Sequence, residues 1–175
     1  MEVSEAENIG ADDLEALRLS SLRNLKADNC IKNHVIAAMG VGLIPSFMVE
    51  VVGVTGIEVK MIRDLALVYD FPVPHKLVAY KILISLIASV APLLIAIQVR
   101  SAVKGVPLIG HAAYISLLSV SNGAAVYAVG KVFEKHYASG GTFLAGSNTS
   151  AKKYFKDQYE DGKKIVPLIV AEARA

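Results

Sequence analysis

The sequence has one cysteine, few charges and no recognisable set of catalytic residues. Cys30 stands alone, so no internal disulfide forms and no cysteine cluster can hold a metal; as a lone thiol at a helix position it is read as structural. Charged residues make up 19% of the 175-residue chain, and the net charge is +2. With no basic run interleaved with aromatics, that balance excludes nucleic acid as a partner. The start, Met1 to Glu7, is acidic and has no apolar centre, so it does not read as a cleaved signal peptide. No internal repeat is present.

Missing chemistry is as informative. His34, His75, His111 and His136 are scattered without a His-x-x-x-His or Glu-x-x-His pair, which argues against a metal site. Gly105-Val106-Pro107-Leu108-Ile109-Gly110 begins like a phosphate loop, but His111 and Ala112 stand where Lys and Ser/Thr are needed. No Ser/His/Asp set, Cys/His pair or carboxylate dyad is apparent. The expectation is a protein that is not an enzyme, with no cofactor and no metal.

Apolar residues are plentiful. They reach 54% of the chain, or about 57% with the 13 Gly counted and the 7 Tyr removed, against about 45–50% in soluble domains. Mean hydropathy is +0.48, and the excess lies in the middle of the chain. Ile82 to Val99 carries no charge over eighteen residues, enough to suggest a membrane span. Arg100, Lys104, Gly105 and Pro107 mark a turn. Gly105 to Gly130 then runs without Asp, Glu, Lys or Arg and is rich in Gly, Ala and Ser, the small residues that closely packed membrane helices place at contacts. Asn122 within it is expected to hydrogen-bond a neighbouring helix. Together the two arms predict a transmembrane hairpin.

Upstream, Ile31, Val35, Ile36 and Met39 continue a helix until Gly40, Gly42 and Pro45 break it. Glu50 is the one ionisable group between Val35 and Ile57, which predicts a re-entrant or interfacial hairpin. An acidic residue in such a setting is a candidate functional group. Val54, Ile57, Met61, Leu65 and Val68 then form a helical stripe, with Glu58, Arg63 and Asp64 between them and Lys60–Asp64 as an i,i+4 pair. A last amphipathic helix is predicted from Thr149 or Ser150, with Tyr154, Phe155, Tyr159, Ile165 and Val166 as its apolar set. Gly140, Gly141 and Thr142 break the chain before it, a helix termination that also has the makings of an anion-binding nest.

The fold class read from the residues is therefore an all-α membrane protein: a central two-helix transmembrane hairpin, a Gly/Pro-broken re-entrant or interfacial hairpin, and amphipathic surface helices. Its divisions are a tail and surface helix over 1–26, a helical membrane domain over 27–166, and a tail over 167–175. The flanking lysines Lys76, Lys81, Lys131 and Lys135 favour both termini in the cytoplasm.

Two blocks carry a family resemblance. His34-Val35-Ile36-Ala37-Ala38-Met39-Gly40-Val41-Gly42-Leu43-Ile44-Pro45, followed by Lys60-Met61-Ile62-Arg63-Asp64-Leu65 and Tyr69, is the first. Ala128-Val129-Gly130-Lys131-Val132-Phe133 with His136 and Ser139-Gly140-Gly141-Thr142-Phe143 is the second. They resemble a bacterial membrane domain of unknown function of the YcjF type, over residues 27–165. Members occur alone or fused behind small Era-like GTPase domains. The resemblance implies a bacterial inner-membrane anchor or effector for a GTPase, here a separate protein, with homo-oligomers expected. Glu50 stands where that family usually has Asp. Glu50, Arg63, Asp64, Lys131, His136, Gly140, Gly141 and Thr142 become candidate partner or lipid contacts. Two other readings remain open: an oligomeric channel or transporter using Glu50 and Asn122, and a soluble helical bundle that binds lipid.

Overall fold

The computed structural model describes residues 10–41, 43–44, 47–88, 109–145 and 148–173. Every regular element among them is helical: α1 (Ala11–Val41), α2 (Phe47–Val68), α3 (Lys76–Ala88), α4 (Ile109–Ala138) and α5 (Asn148–Ala173). The all-α reading holds. The membrane hairpins do not.

α4 is the hub, with α1, α2 and α5 packed against it and α3 on the margin. Its residues Ala124, Val126, Ala128, Val129, Val132 and Phe133 are all buried. α1 contributes Ala27, Ile31, Val35 and Ala38, spaced by four, four and three, so one stripe faces the bundle. α5 contributes Ala151, Phe155, Tyr159, Val166 and Ile169 in the same rhythm. Gly162 completes that stripe, because a Cβ there would lie 3.0 Å from the Ala124 backbone. Glycine at this position lets α4 and α5 close to backbone contact.

The helix ends interlock. α2 stops with Asp70 in the left-handed region (φ 53°) while the Phe71 N–H donates back to the Ala66 carbonyl at 2.8 Å, the Schellman arrangement. α4 stops the same way, the Gly141 N–H reaching the His136 carbonyl at 2.8 Å. Phe71 then lies 5.0 Å from the Tyr137 ring, and a Cβ on Gly141 would meet it at 2.5 Å. Tyr137 donates its hydroxyl to the Ile62 carbonyl, tying α4 to α2.

Three expectations are corrected. First, no helix among the described residues is long and apolar enough to cross a membrane. α3 has 13 described residues, about 20 Å of helix against the roughly 30 Å of a bilayer's hydrocarbon. The remainder of the first expected arm and the turn at Arg100 to Pro107 fall in 89–108, outside the described residues. The second expected arm is largely α4, whose lack of charge has another cause. A helix apolar on all sides suits a protein core as well as a lipid phase, and other helices cover α4. Second, the expected re-entrant hairpin is a packed αα-hairpin. α1 runs unbroken for 31 residues and α2 for 22, and Val35 and Ala38 are buried in the helical core. Gly40 is helical, whereas Gly42 and Pro45 lie outside the described residues. Third, α2 and α5 are structural members of the bundle, not helices resting on its surface. α5 also continues through Pro167 to Ala173.

Candidate functional site

Exposed apolar side chains gather on α1, at Leu14, Leu17, Leu19, Leu22 and Leu25, and on α3; a groove adjoins α3. On α3, Ala79, Leu83 and Leu86, spaced by four and three, are buried against the bundle. Its other side is apolar as well: Leu77 and Ile84 are 65% and 66% exposed, and Val78 and Tyr80 are exposed with them. Leu67 on α2 and Val73 in the α2–α3 connection extend that apolar surface. Between α2 and α3 lies an open groove of about 470 Å³ lined by Lys60, Arg63, Asp64, Leu67, Val73 and Tyr80. Lys60 and Arg63 present exposed cationic side chains along it, and Lys81 is exposed on α3 between Leu77 and Ile84. An apolar surface rimmed by cations can bury itself in a non-polar phase while pairing with anions at the edge.

The sequence-selected residues separate into groups. Arg63 and Asp64 line this groove. Asp64 also accepts from Lys60 one turn earlier and lies 3.4 Å from His34 Nε2 on α1. Lys131 on α4 donates to Asp28 on α1 at 2.6 Å and pairs with Glu134 at 2.8 Å. Burial alone would push its ammonium down, but hydrogen bonds to Asp28 and Glu134 outweigh that and hold it above its usual value. Lys131 clasps α1 to α4. His136 is half-buried, its pKa lowered by burial, and its Nδ1 accepts the Leu144 N–H at 3.2 Å. Gly140 and Gly141 both take positive φ, and Thr142 donates its hydroxyl to the Ser139 carbonyl. These contacts close the α4 terminus. Asn122 is half-buried on α4 and has a partner. Glu50 lies within α2, but its side chain is outside the described residues.

Two features escaped the sequence reading. Glu58 was placed among the polar residues of α2, yet it is fully buried and neither carboxylate oxygen has a hydrogen-bond partner. Burial pushes its pKa from 4.5 up to about 8. The signal was present: Glu58 precedes Met61 by three and Leu65 by seven, which puts it on the buried face. The second is Cys30, His34 and Asp64, each half-buried, whose ligand atoms lie within 4.8 Å of one another. Cys30 and His34 are one helical turn apart on α1, and α2 supplies Asp64. The i,i+4 spacing of the first pair was the available signal. Only the hairpin packing brings in the third.

Residues 11–164 match the model of a family described as "Domain of unknown function (DUF697)". The chain is also similar to "Magnetosome membrane protein 22" of Magnetospirillum gryphiswaldense, 33% identical over 158 residues, covering 87% of this chain and 78% of that relative. No solved structure matches it.

Proposed function

The chain belongs to the DUF697 family, and from that premise we propose that it is a non-catalytic helical module that associates with a membrane through the outer face of α3. One observation carries the reading: α3 is apolar on two sides and the protein covers one of them. Leu77, Val78, Tyr80 and Ile84 form the uncovered side, and the sequence beyond α3 stays uncharged to Val99. Lys60 and Arg63 beside the groove, and Lys81 snorkelling from within the outer face between Leu77 and Ile84, suit anionic headgroups. The similar protein is by its name a membrane protein, which agrees with this assignment. The separate GTPase implied by the two motif blocks is the partner we propose for the cytosolic side of such a module.

Flotation with anionic vesicles tests the membrane reading. The full chain is expected to float, and Leu77→Asp with Ile84→Asp to remain at the bottom of the gradient with unchanged helicity. Each fully buried Leu or Ile is worth about 1.5–3 kcal/mol, so each substitution weakens partitioning by about tenfold or more. Undiminished flotation of the double variant contradicts the assignment. For the partner, a GTPase that co-purifies in a nucleotide-dependent manner supports the proposal, and its absence from cross-linked cells opposes it.

A further inference from the structure

From the convergence of Cys30, His34 and Asp64 at the α1–α2 seam, we propose a three-residue binding site for a divalent metal ion of the zinc class. The donor set is sulfur, imidazole nitrogen and carboxylate oxygen, which suits Zn²⁺ or Co²⁺ and not the oxygen-seeking Mg²⁺ or Ca²⁺. The imidazole is already oriented. His34 Nδ1 lies 2.8 Å from the Cys30 carbonyl, so Nδ1 carries the proton and donates. That leaves the Nε2 lone pair facing Asp64 Oδ2 at 3.4 Å. A ring N–H fixed by a backbone carbonyl is the support that metal-binding histidines commonly have.

The dimensions are close to those required. Ligands around a tetrahedral zinc stand about 3.3–3.8 Å apart. The His34 Nε2 to Asp64 distance falls in that range, and one donor atom from each of the three residues lies within 4.8 Å of the other two. Closing on an ion needs about 1 Å of side-chain movement, available because all three are half-buried on well-packed helices. The fourth position would be taken by water or an exogenous donor. Lys60 is the competitor: its ammonium pairs with Asp64, and an incoming cation must displace it. Its side chain is 68% exposed, so it can turn to solvent at little cost. This proposal is independent of the membrane reading, since none of the three residues lies on the outer face of α3.

Titration of the reduced full chain with Co²⁺ alone, followed by Zn²⁺, tests the site. The expected result is one Co²⁺ per chain with a thiolate-to-cobalt charge-transfer band in the near ultraviolet, lost on adding Zn²⁺. Cys30→Ser should abolish the band, and His34→Gln or Asp64→Asn should weaken binding by more than about tenfold. Lys60→Ala should tighten binding several-fold, which a purely structural role for the cluster does not predict. Circular dichroism of each variant separates loss of the site from loss of the fold. Absence of saturable binding to the folded chain overturns the proposal. So does stoichiometric binding that survives Cys30→Ser combined with His34→Gln.

Discussion

α3 and α4 look alike in sequence and differ in the structure. The uncharged runs Ile82–Val99 and Gly105–Gly130 overlap α3 and α4, and both runs were expected to lie in lipid. From Ser119 to Tyr137 α4 packs against α1, α2 and α5, and Gly123, Ala124, Ala128 and Gly130 are contact points for protein neighbours. α3 is covered along Ala79, Leu83 and Leu86 and open along Leu77, Tyr80 and Ile84. Lack of charge reports that water is excluded, and says nothing about whether protein or lipid excludes it. The distinction needs the neighbours.

The largest expected effect sets the two helices against each other. Phe133→Ala in α4 should destabilise the fold by about 3–5 kcal/mol, read from denaturant unfolding of helicity. Ile84→Ala on the outer face of α3 should stay within about 0.5 kcal/mol. Comparable losses at both sites would erase the contrast.

Glu58 sharpens it next, because a carboxyl stranded in the core marks how dry the packing of α2 is. Below about pH 4.5 the group is protonated in both the folded and the unfolded chain. Between that pH and about 8 the unfolded chain releases the proton while the folded one keeps it. Stability should therefore fall as pH rises through this window, by on the order of 4 kcal/mol from this group, and be insensitive to it above. Glu58→Leu should remove the slope, so its advantage over the parent chain grows from pH 5 to pH 8. A parallel pH dependence in both proteins would contradict a dry site.

Smaller effects belong to the margins. Gly141→Val meets both a positive φ of 84° and the Phe71 ring, and should lower stability by about 1–3 kcal/mol without affecting vesicle binding. The exposed Arg23–Asp70 pair at 3.3 Å should contribute less than about 1 kcal/mol, so Arg23→Ala in a thermal melt is the near-silent control.

Much of the helical architecture was legible. The stripe from Met61 to Leu65, the buried Phe155, Tyr159 and Val166 of α5, and the stops near Asp70 and Gly140 all follow from spacing and turn chemistry. The break read over Gly40 to Pro45 is where α1 ends, at Val41, and α2 begins, at Phe47; Gly40 itself stays in the last turn, since one glycine costs only about 1 kcal/mol in a helix that tertiary packing supports. The Ala27–Ile31–Val35–Ala38 stripe was hidden because α1 was divided near residue 26, where its exposed leucines give way to buried residues. Of the site, Lys60–Asp64 was found as an i,i+4 pair, and Arg63 and Asp64 as candidate contacts. The apolar outer face of α3 was read as the wall of a span, and the Cys30–His34–Asp64 convergence depends on long-range packing that no local pattern encodes.

The most direct test compares depth in the bilayer at one position on each helix. In a Cys30→Ser background, a fluorophore at Ile84→Cys and one at Ala125→Cys are exposed in turn to quenchers carried on lipid chains, with the protein bound to anionic vesicles. The account predicts strong quenching at position 84 and little at position 125. Strong quenching at position 125, or none at 84, would contradict the assignment of α4 to a protein core and of the α3 face to the membrane.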